Sequence, residues 1–141
     1  MQPPPNGFLK LNIDEASKGN PGTTSHGRFL RDERGNILFI FHGHLGQATN
    51  NMAEIIAMEH CLEFLLHDNQ HNVIVEANFE LIVNSAKKIS WGTAPEKVSK
   101  NWRLILIFQR IHNHLQGLYN ITFKHVRRMV NKLADLLANQ G

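Results

Sequence analysis

Apolar and polar side chains alternate at the start of the chain. Leu9, Leu11 and Ile13 fall on one side of an extended segment, and Phe8, Lys10, Asn12 and Asp14 on the other. That period of two predicts a half-buried strand. Ser17-Lys18-Gly19-Asn20-Pro21-Gly22 reads as a loop by every local signal. A second strand is expected over Gly27 to Arg31, a turn over Asp32 to Asn36, and a third strand over Ile37 to His44. Hairpin connections make this an antiparallel meander. At Asn51 the period changes. Met52, Ile55, Met58/Glu59, Leu62 and Leu65 recur at three and four, which predicts an amphipathic helix of about four turns. Val73 to Ala77 is a short buried strand and Phe79 to Lys88 a short helix. Ser90 to Lys100 is loop-like, Trp102 to about Gln116 a helix, Ile121 to Val126 a last strand, and Asn131 to Asn139 a closing helix. Three hairpin strands followed by alternating strands and helices imply an α/β fold, a mixed sheet with helices packed on it.

A chain of 141 residues, 42% hydrophobic and 19% charged, suits one domain with a real core. Pro3-Pro4-Pro5 makes residues 1–6 a stiff, extended lead-in, so residues 7–141 are expected to form the single domain. No apolar run approaches the ~18 residues of a membrane span, so no membrane association is expected. The first residues lack the apolar stretch of a signal peptide, and an intracellular location, nucleus or cytoplasm, is expected. The one cysteine, Cys61, excludes an internal disulfide and a cysteine metal cluster, and no disulfide-linked partner is expected. It sits among Met58, Leu62 and Leu65 at helical spacing and reads as core. A net charge of +3 and a pI near 9.2 are compatible with a polyanionic partner.

Three acids stand where folding does not ask for them: Asp14 near the end of the first strand, Glu54 in the first turn of the long helix, and Asp135 between Leu133 and Leu136 in the last helix. His125 closes the last strand. Each has an ordinary explanation. Asp14 could end a strand, Glu54 could complete a capping box from Asn51, and Asp135 could be a solvated helix residue. Their setting changes the picture. "PPPNGFLKLNIDEASKGNPG", "TNNMAEIIAM" and "FKHVRRMVNKLADLLA" occur in that order and cover nearly the whole chain.

Together these segments resemble the ribonuclease H family. More narrowly, they resemble the ribonuclease H-like domains at the ends of plant non-LTR retroelement reverse transcriptases and in related plant proteins, which leaves two origins open: part of a longer polypeptide or a short stand-alone protein. The resemblance implies a ribonuclease H-like fold: a five-stranded mixed sheet, three antiparallel strands then two parallel, with helices on both faces. It implies cleavage of the RNA strand of an RNA/DNA hybrid, with four carboxylates holding two Mg²⁺ ions, or Mn²⁺ in their place. Two divalent cations ~3.5–4 Å apart need concentrated negative charge to stay. Carried over, Asp14 is the bridging carboxylate, Glu54 serves the leaving-group side and Asp135 the water-activating side. His125 assists proton movement or product release. Asn20 and Thr49 cup a phosphate of the DNA strand, Asn50 and Asn51 approach the minor groove, and Ser17 is counted with the nucleic-acid-binding residues. Apart from the resemblance, Lys124, Arg127, Arg128 and Lys132, with Lys18, form a basic cluster that reads either as a phosphate track or as a solvated face.

The fourth carboxylate is missing. The family pattern runs roughly Val-Glu-(Ser/Thr)-Asp-Ser-Gln; this chain has Val75-Glu76-Ala77-Asn78-Phe79-Glu80. Asn78 replaces the metal-binding aspartate, Phe79 a small serine, and Glu80 a glutamine expected to face nucleic acid. An amide carbonyl can ligate a cation but brings no formal charge, so weakened Mg²⁺ binding and a rate loss of at least ~10²-fold are expected. Glu15, His26 and Arg28 also stand where that group favours glycine. Glu76 is a conceivable substitute ligand, although the family usually carries a glutamate there as well. Two functions remain in view: a Mg²⁺-dependent hybrid endonuclease of weak or lost activity, and an inactive ribonuclease H-fold module that binds nucleic acid or protein. His42-x-His44 is read as no metal site, and Trp91 with Lys97 and Lys100 as the only candidates for gripping the hybrid.

Overall fold

The computed structural model describes Pro4 and residues 6–19, 22–46 and 50–127. Its elements are β1 (Leu9–Gly19), β2 (Gly22–Arg31), β3 (Ile37–Gly46), α1 (Asn50–His67), β4 (Val73–Ala77), α2 (Glu80–Ser90), α3 (Pro95–Val98), α4 (Trp102–Gln116) and β5 (Ile121–His125). The helix expected over Asn131 to Asn139 lies outside the described residues.

The sheet has five strands in the order β3-β2-β1-β4-β5. β1 and β2, and β2 and β3, pair antiparallel; β1 and β4, and β4 and β5, pair parallel. Three antiparallel strands are thus continued by two parallel ones, as the element order implied. The alternation in β1 holds: Leu11 and Ile13 join the hydrophobic core, while Lys10 and Asn12 are buried outside it. The core is closed by Ile55, Met58, Leu62 and Leu65 of α1, Ile82 and Val83 of α2, and Phe108 and Ile111 of α4. Cys61 is fully buried among them.

Several boundaries differ from expectation. Ser17, Lys18 and Gly19, expected in a loop, belong to a strand. β1 runs to Gly19 and β2 begins at Gly22, with those glycines paired. The β-branched Thr23 and Thr24 suit the pleated ladder, facing Lys18 and Ser17 in register. Within the predicted loop of residues 90 to 100, Pro95 opens the short helix α3, where its fixed φ and missing N–H cost nothing. Finally, α1 begins at Asn50, so Asn51 lies inside the helix and cannot cap it. Glu54 therefore opens the second turn rather than closing a capping box from Asn51.

Candidate active site

The parallel ladder of β1, β4 and β5 sets the site. Ile13 pairs with Ala77, and Ala77 with His125, in one row across the sheet. One residue on, the Val126 amide donates to the Ala77 carbonyl at 3.0 Å. Position 14 therefore follows Ile13 on β1 where Asn78 follows Ala77 on β4. Asn78 is half-buried at the bend between β4 and α2, and His125 is half-buried as the last residue of β5. Glu54 is half-buried on α1, a helix that packs on β1. The backbone thus brings positions 14, 78 and 125 to one edge of the sheet's interior row. Asp14 is described in its backbone alone, as are Ser17, Lys18 and Asn50. Asn20, Thr49, Arg128, Lys132 and Asp135 lie outside the described residues. Asn51, Glu80 and Arg127 are exposed.

Just before Asn78, the side chain of Glu76 is fully engaged. Lys10 Nζ lies 3.3 Å from Glu76 Oε2, and Asn12 Nδ2 donates to Glu76 Oε1 at 2.9 Å. Arg31 Nη2 donates to Asn12 Oδ1 at 3.3 Å. All four residues are buried. Burial lowers the Arg31 pKa, and the nearby Glu76 charge partly opposes that. The Arg31 guanidinium also lies 5.6 Å from the Phe29 ring centre. Two cations and an amide around one buried carboxylate satisfy it in a low-dielectric setting where an unpaired charge is costly. Glu76 thus has both oxygens committed within the fold. The polar stripe Lys10-x-Asn12-x-Asp14 on a central strand was its visible sign, but sequence alone did not reveal that Glu76 closes the network.

Phe79 explains part of the local departure. It is the N-cap residue of α2, with an extended backbone and no side-chain cap. Its ring is 5% exposed and belongs to the core. A capping oxygen has been exchanged for apolar burial. Glu80, at the first position of α2, places negative charge at the positive end of the helix dipole.

A second polar cluster joins α1 to α4. Glu59 Oε2 lies 2.8 Å from His114 Nε2, and Arg110 Nε lies 3.4 Å from Glu59 Oε1. Ligand atoms of Glu59, Glu63 and His114 fall within 4.8 Å of one another, but the Arg110 cation on the same carboxylate makes this an ion-paired clamp. Burial pushes the Glu59 pKa up; the His114 hydrogen bond and charge, with Arg110 and His60, outweigh that and hold it below its usual value. A glutamate on the apolar stripe of α1, beside Met58, was the available signal. His42 and His44 are described in their backbone alone, both within β3. Trp91, Lys97 and Lys100 are exposed near α3.

The reverse transcriptase-like family profile matches residues 12–141. An Arabidopsis thaliana protein named for ribonuclease H is 32% identical over 94% of this chain, which spans 20% of that relative's length. A ribonuclease H of Bordetella avium is 30% identical, with 98% of this chain and 92% of the relative covered. LC11-RNase H1, solved in complex with an RNA/DNA hybrid, is 30% identical at a TM-score of 0.78, covering 94% of this chain and 95% of that one. The chain belongs to the ribonuclease H family, within its reverse transcriptase-like group.

Proposed function

We propose that this domain binds RNA/DNA hybrids and hydrolyses the RNA strand at a rate lowered by Asn78. Water adds across the phosphorus–O3′ bond, leaving a 3′-hydroxyl and a 5′-phosphate. The observation that supports the proposal is the register of β1 against β4, whose last pair, Ile13 with Ala77, comes one residue before Asp14 and Asn78. The relative solved with a hybrid supports the same substrate class. The donor set suits hard divalent cations, because Asp14, Glu54, Asp135 and the Asn78 carbonyl are all oxygen donors. It falls short in charge by one carboxylate. When bound, a Mg²⁺ pair supplies water activation on one side of the phosphate and leaving-group stabilisation on the other. Mn²⁺ suits the same donors.

In this proposal Asp14, Glu54 and Asp135 would hold the cations, and His125 would assist proton movement or product release. Ser17, Lys18, Asn20 and Thr49 position a DNA-strand phosphate. Asn50 and Asn51 read the minor groove, where the 2′-hydroxyl distinguishes RNA. Arg127 and Arg128 extend the phosphate track, while Glu80 weakens it by adding negative charge. The domain acts within a longer polypeptide, in the nucleus or cytoplasm.

A second reading, an inactive binding module, is favoured by the same amide and by the engagement of Glu76. Anisotropy of a labelled hybrid, with Mg²⁺ and with EDTA, tests the substrate. Binding that prefers the hybrid over duplex DNA and falls steeply with salt is expected, since phosphate contacts release counterions. Equal, salt-insensitive binding or no binding would remove nucleic acid from the proposal.

A further inference from the structure

Between α1 and α4, three ligand-bearing side chains from two helices converge. On α1, Glu59 and Glu63 stand four residues apart, so their carboxylates lie on one face, one turn from each other. From α4, His114 reaches across with Nε2 2.8 Å from Glu59 Oε2. One carboxylate oxygen from each glutamate and a ring nitrogen of His114 all fall within 4.8 Å of one another.

Ion pairing accounts for part of this arrangement only. Arg110 meets Glu59 at Oε1, at 3.4 Å. Its side chain is 53% exposed, against 7% for Glu59. This is the longer of the two contacts on Glu59, and an exposed guanidinium swings into water at little cost. Glu63 makes no hydrogen bond or ion pair among the described residues, although its oxygen lies within 4.8 Å of the buried carboxylate. Two carboxylates so close disfavour each other's charge unless a cation stands beside both, and Arg110 contacts Glu59 at the oxygen that His114 leaves.

We propose that Glu59, Glu63 and His114 form a site for one Zn²⁺ ion that ties α1 to α4. The donors choose the metal. An imidazole nitrogen with carboxylate oxygens suits Zn²⁺, and three protein ligands leave its fourth position to water. Mg²⁺ is disfavoured by the same set, because it takes oxygen and keeps several waters. Zinc bonds of about 2.0–2.2 Å put tetrahedral ligands about 3.3–3.6 Å apart. The donors therefore reach ligand distance by a contraction of about 1–1.5 Å at most. Two carboxylates match the charge of the ion. Without metal the cluster is the ion-paired clamp; with zinc bound, the ion takes the place of Arg110 as the cation on Glu59. The hydrogen that joins His114 Nε2 to Glu59 is exchanged through water for one on Nδ1, so the neutral ring presents its lone pair at Nε2. The site is separate from the one at position 14. Glu59 lies five residues beyond Glu54 on α1, about 140° around the helix and about 7.5 Å along it. The inference goes beyond the proposed activity and stands without it.

Calorimetric titration of the whole 141-residue chain with Zn²⁺, in excess Mg²⁺, tests this beside Glu63→Gln, His114→Gln, Arg110→Gln and Asp14→Asn. One ion bound per chain is expected. Glu63→Gln and His114→Gln are each expected to weaken it at least about tenfold, the least that loss of a supporting residue costs a metal site. Arg110→Gln is expected to tighten it, because a competing cation is gone, and Asp14→Asn to leave it unchanged. Glu63 and Arg110 are exposed, so circular dichroism of their variants should match the unaltered chain. Co²⁺ in place of Zn²⁺ should give the strong visible absorption of a tetrahedral site, lost in Glu63→Gln. Failure to bind Zn²⁺ in excess Mg²⁺ would overturn the proposal. So would zinc binding indifferent to Glu63→Gln or to His114→Gln, which would put the ion on other histidines.

Discussion

At the scale of single residues, Asn78 differs from an aspartate by one unit of charge, at the position where the proposed function needs a cation ligand. Asn78→Asp is expected to tighten Mg²⁺ binding, measured by calorimetry on the protein without nucleic acid, and Glu76→Gln is not. The two positions lie two apart, yet they do different work. Glu76 faces Lys10 and Asn12 in a buried network, so its role is structural. Removing it with Glu76→Ala takes a buried carboxylate away from Lys10, Lys124 and the nearby Arg31. A loss of about 3–5 kcal/mol is expected in urea unfolding, the range for a broken buried pair. A loss below about 1 kcal/mol, the scale of an exposed pair, would show that water reaches the network.

At the scale of elements, α2 illustrates how a departure from the family pattern can be locally sensible. Restoring the small residue with Phe79→Ser would return a capping oxygen worth about 1 kcal/mol. It would also remove a buried ring worth about 3–5 kcal/mol. A net destabilisation of roughly 2–4 kcal/mol is expected, and a stabilised Phe79→Ser variant would contradict the core placement of the ring. The α1–α4 clamp makes a pH prediction. Glu59 has a folded pKa held below the usual 4.5, so the unfolded chain binds its proton more readily. Its contribution is present above that value and is lost as pH falls through the lower folded one. Urea midpoints between pH 6 and pH 3 should therefore converge for the unaltered chain and Glu59→Gln as acid removes the difference.

The strands and helices were legible because their apolar periods were. β4 was read at its observed limits, as was α4. What periodicity missed was local chemistry. Ser17, Lys18 and Gly19 look like a loop in composition yet pair in β1, and Pro95 marks a helix start as readily as a break. The candidate site was legible in another way. Asp14, Glu54, Asn78 and His125 came from motif resemblance, and the ladder then brought positions 14, 78 and 125 together. The long-range partners were not legible. Nothing local to Glu76 announces Lys10, and nothing local to His114 announces Glu59, because each pair joins separate elements through tertiary packing.

For the whole molecule, the proposed function sets a mild positive charge of +3 against Asn78 in place of a carboxylate and an added acid at Glu80, and weak grip with slow turnover is what it predicts. The deciding measurement is cleavage of an end-labelled RNA/DNA hybrid in Mg²⁺ and in Mn²⁺ by this chain and by Asn78→Asp, with Asp14→Asn as the blank. Asn78→Asp is expected to cut at least about 10²-fold faster than the unaltered chain, the scale of one preorganised electrostatic group. Equal rates, with the unaltered chain well above the blank, would contradict the central role given to Asn78; silence from both would leave the binding module as the function of this fold.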